Sequence, residues 1–246
     1  PFTEGFLHIE GGDIEALDRA LDEKTVAGLL IEAVQGESGI KPQSRDFIAY
    51  AAKLCGQRDI LLMFDEIQCG IGRTGTFLAI EQYVDGDGQP LKADIVTLAK
   101  GLAGGIPAGA VLAGEKTSGV FSVGDHGSTF GGNPIAAAAG LVVLKTVNTP
   151  EYMAEIKRKG DILMTAIRQL PGVKEVRGKG FMIGFDIEGK AWPVLEAAVA
   201  RADLKKDQCG LLMLSAGADT LRLLPPYCLT ESEIEQGITI LAELLR

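Results

Sequence analysis

Histidine and cysteine are scarce in this sequence, and their scarcity disfavours two large classes of site. Only His8 and His126 are present, and the four cysteines, Cys55, Cys69, Cys209 and Cys228, contain no C-x-x-C spacing. A metal centre needs clustered nitrogen and sulfur ligands, and a disulfide framework needs regularly spaced pairs, so neither is expected. The cysteines read instead as buried free thiols acting as small core residues. Positive charge is also in deficit. The 24 Lys and Arg against 33 Asp and Glu leave a net charge of −9 with no basic cluster, which argues against a nucleic-acid or acidic-membrane partner. No apolar run approaches the roughly 18 residues that span a bilayer, and no charged-then-apolar leader opens the chain. These absences point to an acidic protein of the cytoplasm or of an organelle matrix after import.

What is present is apolar mass in short pieces. At 246 residues and 46% hydrophobic content the chain can bury a sizeable core. The runs Ile60 to Phe64 and Ile95 to Ala99 are uniformly apolar and bounded by helix-length or Gly-rich stretches, the texture of parallel strands covered on both faces. TVAGLLIEAV reads as another strand ending near Val34, and residues 44–57 as the crossover helix of a β-α-β unit, with Gly56 at its end. Asp13 is placed to cap a short helix carrying Ile14, Leu17 and Leu21 on one face. An Ala-rich helix is expected from Pro134 to Thr146. After residue 148 the order changes to helix 151–169, an antiparallel pair within 173–188, helix 193–206, short strands in 211–224 and a last helix from Ser232 to Leu245. The expected fold is α/β, with a mostly parallel sheet domain over residues 1–149 and a smaller α+β domain over residues 150–246.

Two near-motifs fail on one residue each. The DGDG stretch at residues 85–88 resembles part of a calcium loop, but Val96 stands where the twelfth-position acid belongs, so it reads as a turn. GAVLAGEKT almost spells a phosphate-binding loop, yet Glu115 occupies the lysine position and would repel a phosphate.

The residues that can carry chemistry stand at strand ends. Asp65 terminates one apolar run and Lys100 the other, and ligands of parallel sheets gather at the carboxyl ends of strands. An amine that binds an aldehyde and a carboxylate that pairs with a pyridinium nitrogen are the two groups a pyridoxal phosphate enzyme needs at such an edge. Glu37 follows the strand ending near Val34 and is expected on the same edge. Arg222, between Leu221 and Leu223, is a guanidinium on an apolar strand, which requires a planar anionic partner, either a substrate carboxylate or an internal acid. Ser128 and Thr129 lie in HGSTFGGNP, a small-residue loop suited to an anion or to capping the helix that follows.

Taken together and in order, FDEIQCGIGRTG, TLAKGLAGGIPAGA, HGSTFGGNP and LRLLPP cover nearly the whole chain and resemble the class III, ω-type, pyridoxal phosphate-dependent aminotransferases. That resemblance implies the fold type I architecture of those enzymes, with Lys100 as the Schiff-base lysine and proton shuttle and Asp65 at the ring nitrogen. It further implies Gln68 near the cofactor 3′-oxygen and Thr129 at the cofactor phosphate of a partner subunit. Ser128 would lie near the substrate, and Arg222 would bind a substrate carboxylate, covered in turn by Glu37. The implied activity moves an amino group from N-acetylornithine to 2-oxoglutarate in arginine biosynthesis, in a homodimer. Ornithine, succinylornithine and 4-aminobutyrate are the alternative donors. The family's phosphate loop, ring-stacking aromatic and acetylornithine-binding arginine have no counterpart here, so the sequence reads as the carboxyl-terminal portion of such an enzyme. A non-catalytic structural or dimerising module is the reading from another class.

Overall fold

A computed structural model describes residues 3–203 and 210–246; Cys209 and the last three positions of the helix expected over 193–206 lie outside the described residues. The chain forms two compact units that interleave in sequence: Pro1–Ala33, Gln43–Ile67 and Ile80–Leu141 make the first, and Val34–Pro42, Gln68–Ala79 and Val142–Arg246 the second. The sequence-based boundary at residues 148–150 is a single cut, whereas these units exchange two short segments and divide last within a helix.

In the first unit, helix α1 (Ile14–Leu21) starts where the Asp13 carboxylate accepts the Ala16 N–H at 2.8 Å. Leu17 and Leu21 are buried, but Ile14 stays 41% exposed, so the apolar face is narrower than the spacing implies. Strand β1 (Gly28–Ile31) follows. The expected continuation to Val34 does not form. The chain departs into the second unit, where β2 (Val34–Gln35) and β3 (Lys41–Pro42) pair antiparallel. Glu37 therefore lies in a small hairpin and not directly after a parallel strand.

Helix α2 (Arg45–Arg58) opens at Ser44, whose hydroxyl accepts the Phe47 N–H at 3.1 Å. It runs through Gly56 and stops at Asp59, which takes the left-handed conformation (φ 54°) usually given to glycine. Strands β4 (Leu61–Asp65), β5 (Ile95–Leu98) and β6 (Ala110–Ala113) complete a sheet of order β1-β4-β5-β6. The first three strands are parallel, and β6 runs antiparallel on the edge. Phe64, Leu62, Val96 and Leu98 are buried, alternating with half-buried Met63, Asp65, Ile95 and Thr97. The strands thus alternate, where the uniform apolar runs imply burial on both faces. Helix α3 (Pro134–Val147) begins with proline in its first turn, and the Asn133 side chain accepts the Ala136 N–H at 3.0 Å.

Each excursion into the second unit is closed at its base by a buried polar group. The Tyr83 hydroxyl reaches the carbonyls of Ala33 and Gln43, both at 3.1 Å, where the first excursion leaves and returns. Glu66, fully buried, accepts the Ile80 N–H at 2.8 Å where the second returns. Glu66, the residue after Asp65, thus has a structural role.

The second unit is built on helix α4 (Pro150–Ile167), strands β7 (Val173–Lys179) and β8 (Met182–Ile187), helix α5 (Ala191–Asp203), strands β9 (Leu214–Ser215) and β10 (Thr220–Leu223), and helix α6 (Glu231–Leu244). The sheet order is β7-β8-β10-β9, antiparallel throughout. Ile156, Ile167, Phe181, Phe185, Leu221 and Ile234 form its core. Helix α6 begins with a capping box in which Thr230 and Glu233 exchange hydrogen bonds. Of the cysteines described, Cys55 and Cys69 are buried and Cys228 is exposed, against the expectation of burial. Burial, reinforced by Asp94, pushes the Cys55 thiol up to about 11.

Arg177 ties this sheet to the β2–β3 hairpin. Its Nε donates to the Gly39 carbonyl at 2.7 Å, and its two terminal nitrogens grip the Asp186 carboxylate at 2.8 Å each. The hydrogen bonds from Arg177 hold the Asp186 carboxyl below the usual carboxylate range. A depressed folded-state value means that the stabilisation is present above the unfolded pKa, near 4, and is lost as pH falls below it. Asp186→Asn is expected to cost about 1–2 kcal/mol at pH 7. In denaturant melts that difference from the parent should shrink steadily below about pH 4.

Candidate active site

Two groups of candidate residues are assembled, one in each unit. In the first unit, Asp65 is the last residue of β4 and pairs in register with Thr97 of the neighbouring parallel strand. Lys100 lies three residues beyond Thr97, at the start of a 3-10 turn spanning Lys100–Ala103. Adjacent strands are about 4.8 Å apart, so amine and carboxylate leave the same carboxyl edge of the sheet. One Asp65 oxygen accepts the Ile67 N–H at 2.9 Å, which fixes the carboxylate over the strand end.

Lys100 is exposed, and its backbone is left-handed with φ 47°. A long side chain in that region costs about 1–2 kcal/mol, and such strain clusters at functional positions. Beside this pair, the Thr97 hydroxyl is buried and makes no hydrogen bond among the described residues. An exposed amine, an anchored carboxylate and an unsatisfied hydroxyl at one sheet edge fit the aldehyde, ring nitrogen and polar substituents of pyridoxal phosphate. Among the described residues, no three His, Cys, Asp or Glu side chains gather to hold a metal ion.

Ser128 and Thr129 lie on an exposed stretch of the same unit. The Ser128 hydroxyl accepts the Gly131 N–H at 3.1 Å, and the Asn133 side-chain amide donates to the Phe130 carbonyl at 3.0 Å. These bonds shape the loop as the entry to α3.

In the second unit, Arg222 of β10 is 7% exposed and points one terminal nitrogen at the β2–β3 hairpin. That Nη1 donates to the Gly36 carbonyl at 2.9 Å and to Glu37 Oε1 at 2.7 Å, with Gln68 Oε1 at 3.4 Å. Gln68 Nε2 donates to the same Glu37 oxygen at 3.0 Å. The opposite edge of the guanidinium is unsatisfied, for Arg222 Nε is buried without a partner among the described residues. An arginine with one nitrogen engaged and another buried and unsatisfied has hydrogen-bonding capacity left for a planar carboxylate.

Gly36 belongs to this group although the sequence reading passes over it. A Cβ there would sit 2.1 Å from Gln68 Oε1, so glycine leaves the space that the amide fills. The only hint in sequence is its place before Glu37 in QGE.

Gln68 is itself carried by the short 68–79 segment, which is held in the second unit by Arg73. The Arg73 guanidinium stacks over the Tyr227 ring at 4.3 Å and donates to the Pro225 carbonyl, while the Tyr227 hydroxyl donates to the Ile71 carbonyl at 2.7 Å. Burial holds the Arg73 guanidinium below its ordinary value and pushes the Tyr227 phenol up.

Comparison with known proteins places this chain in a family. The aminotransferase class-III model matches residues 9–245. The acetylornithine aminotransferase of Haemophilus ducreyi is 41% identical over 245 residues, covering 100% of this chain and 59% of that protein. The one from Aquifex aeolicus is 38% identical over 245 residues, again covering 100% of this chain and 60% of the relative. Among solved structures, N-acetylornithine aminotransferase from Stenotrophomonas maltophilia superposes with a TM-score of 0.85 at 35% identity, covering 99% of this chain and 62% of that one. Ornithine delta-aminotransferase from Plasmodium falciparum gives 0.85 at 30% identity, covering 100% and 62%. The chain thus spans about three-fifths of the length of these relatives. With a family match that runs almost end to end and a shared α/β fold, this chain belongs to the class-III aminotransferases.

Proposed function

We propose that this chain carries the amine-and-acid half of a pyridoxal phosphate-dependent aminotransferase that moves an amino group from N-acetylornithine to 2-oxoglutarate. The observation that carries the reading is Asp65 at the end of β4 and Lys100 just past the end of the adjacent parallel strand β5, the lysine held in a left-handed backbone. When bound, the cofactor would supply an electron-poor pyridinium that takes up negative charge from the substrate carbon bearing the transferred amino group. Lys100 Nζ would hold the cofactor aldehyde and, once displaced, carry the proton taken from the carbon that bears the transferred amino group. Asp65 would keep the ring nitrogen protonated. Arg222 would receive a substrate carboxylate, with Glu37 covering it for the amino donor and uncovering it for the dicarboxylic 2-oxo acid. Ser128 and Thr129 are assigned to substrate and cofactor phosphate, the latter across a homodimer interface. A cytoplasmic location and a place in arginine biosynthesis belong to the same reading.

The donor rests on the names of the relatives, and ornithine is the second reading because an ornithine aminotransferase shares the fold at 30% identity. The test is covalent. After incubation with pyridoxal phosphate and reduction by borohydride, the intact mass should rise by one cofactor, and peptide mapping should place it on Lys100. Modification spread over surface lysines would reject the assignment. Half-reactions with each donor then separate N-acetylornithine from ornithine.

A further inference from the structure

Glu37 presents a physical puzzle. Its side chain is 74% exposed, yet it sits on an arginine that is 7% exposed. Exposed carboxylates hold ion pairs weakly, because water competes for the charge and the side chain loses rotamer freedom. Something must keep Glu37 in place, and the geometry points to Gln68. Its carboxamide faces both members of the pair, with Nε2 donating to Glu37 Oε1 at 3.0 Å and Oε1 at 3.4 Å from Arg222 Nη1. A single carboxylate oxygen thereby accepts two donors at once.

Gly36 makes that reach possible. Any side chain there would begin 2.1 Å from Gln68 Oε1 and drive the amide out. The Gly36 carbonyl meanwhile anchors the same Arg222 nitrogen at 2.9 Å, so the arginine is fixed whether or not Glu37 stays.

We propose that Gln68 is a positioning residue that latches Glu37 onto Arg222, with Gly36 providing its space, and so sets how often Arg222 is open to a dicarboxylate. This rests on the reading of Arg222 as a carboxylate site. Apparent affinity for a ligand scales with the fraction of protein in the competent state. Loosening the latch should therefore tighten binding of a five-carbon dicarboxylate. A hydrogen bond of ordinary net strength, as expected for a carboxylate this exposed, makes the change about 3- to 10-fold.

The experiment is calorimetric titration of the full chain, without cofactor, with glutarate. Gln68→Ala and Glu37→Ala should each lower the dissociation constant by about 3- to 10-fold. The double variant should bind no tighter than Glu37→Ala alone, because Gln68 acts through Glu37. Gly36→Ala should reproduce Gln68→Ala by displacing the amide, which guards against a folding artefact in either variant. Unchanged or weaker binding by Gln68→Ala, an effect that persists in the Glu37→Ala background, or no glutarate binding by any of these proteins would overturn the proposal. The outcome is separable from the aminotransferase reading. Cofactor fixed on Lys100 with no effect of Gln68→Ala removes the latch alone, and a working latch without cofactor capture removes the enzyme assignment alone.

Discussion

Lys100→Ala is expected to eliminate the borohydride-fixed cofactor adduct completely and to lower amino transfer by about 10,000-fold, the upper end of what a positioned acid–base group contributes. The expectation follows from position. Lys100 is the amine that β5 delivers to the rim beside Asp65, three residues past the strand residue paired with that carboxylate. Intact mass after reduction and single-turnover rates with each donor check the two parts separately. A residual adduct on another lysine would show that a second amine captures the aldehyde, and the role of Lys100 would reduce to the proton.

A second large effect concerns a glycine remote from chemistry. A Cβ on Gly160 of α4 would lie 2.2 Å from the Gly180 carbonyl oxygen and 2.8 Å from the Gly180 Cα, both backbone atoms that cannot swing aside. Gly180 is itself left-handed (φ 54°), and its own Cβ would meet the Arg73 carbonyl oxygen at 2.8 Å. Three backbone segments therefore stack with no room for a methyl group: α4, the β7–β8 turn and the 73–75 stretch. Gly160→Ala is expected to destabilise the second unit by about 3 kcal/mol, toward the upper end for overpacking. The same substitution at Gly56, exposed within α2 with nothing within 4 Å of its Cβ, should stabilise the chain by about 0.5–1 kcal/mol. Opposite signs in denaturant melts would locate the cause in backbone approach, not in glycine as such.

Local chemistry was the most legible part of this fold. Asp13 caps the helix that its position announces, and the runs ending at Phe64 and Ala99 supply neighbouring parallel strands, because caps and short apolar runs act over a few residues. Failures came where distant packing decides. The strand expected to end near Val34 breaks at Ile31, since Val34 pairs with Pro42 in a hairpin of the other unit. Gly56 continues its helix while Asp59 ends it, so the left-handed position came from chain direction and not from residue preference. No local signal announces that segments 34–42 and 68–79 pack with residues beyond 141. The grouping of Gly36, Glu37, Gln68 and Arg222 depends on that interleaving. Residue type marked the arginine as needing an anion, but only the fold shows that one of its nitrogens is taken by Glu37 while Nε is left unsatisfied.

The backbone at Lys100 sets folding against reaction. Its left-handed angles suit glycine, and a residue with a Cβ there gives up about 1 kcal/mol relative to glycine. Exchange of this lysine for glycine would therefore yield a sturdier protein without the amine proposed to hold the cofactor. Screens that select variants for heat resistance alone will drift toward that loss, so a library built on this scaffold must hold position 100 fixed.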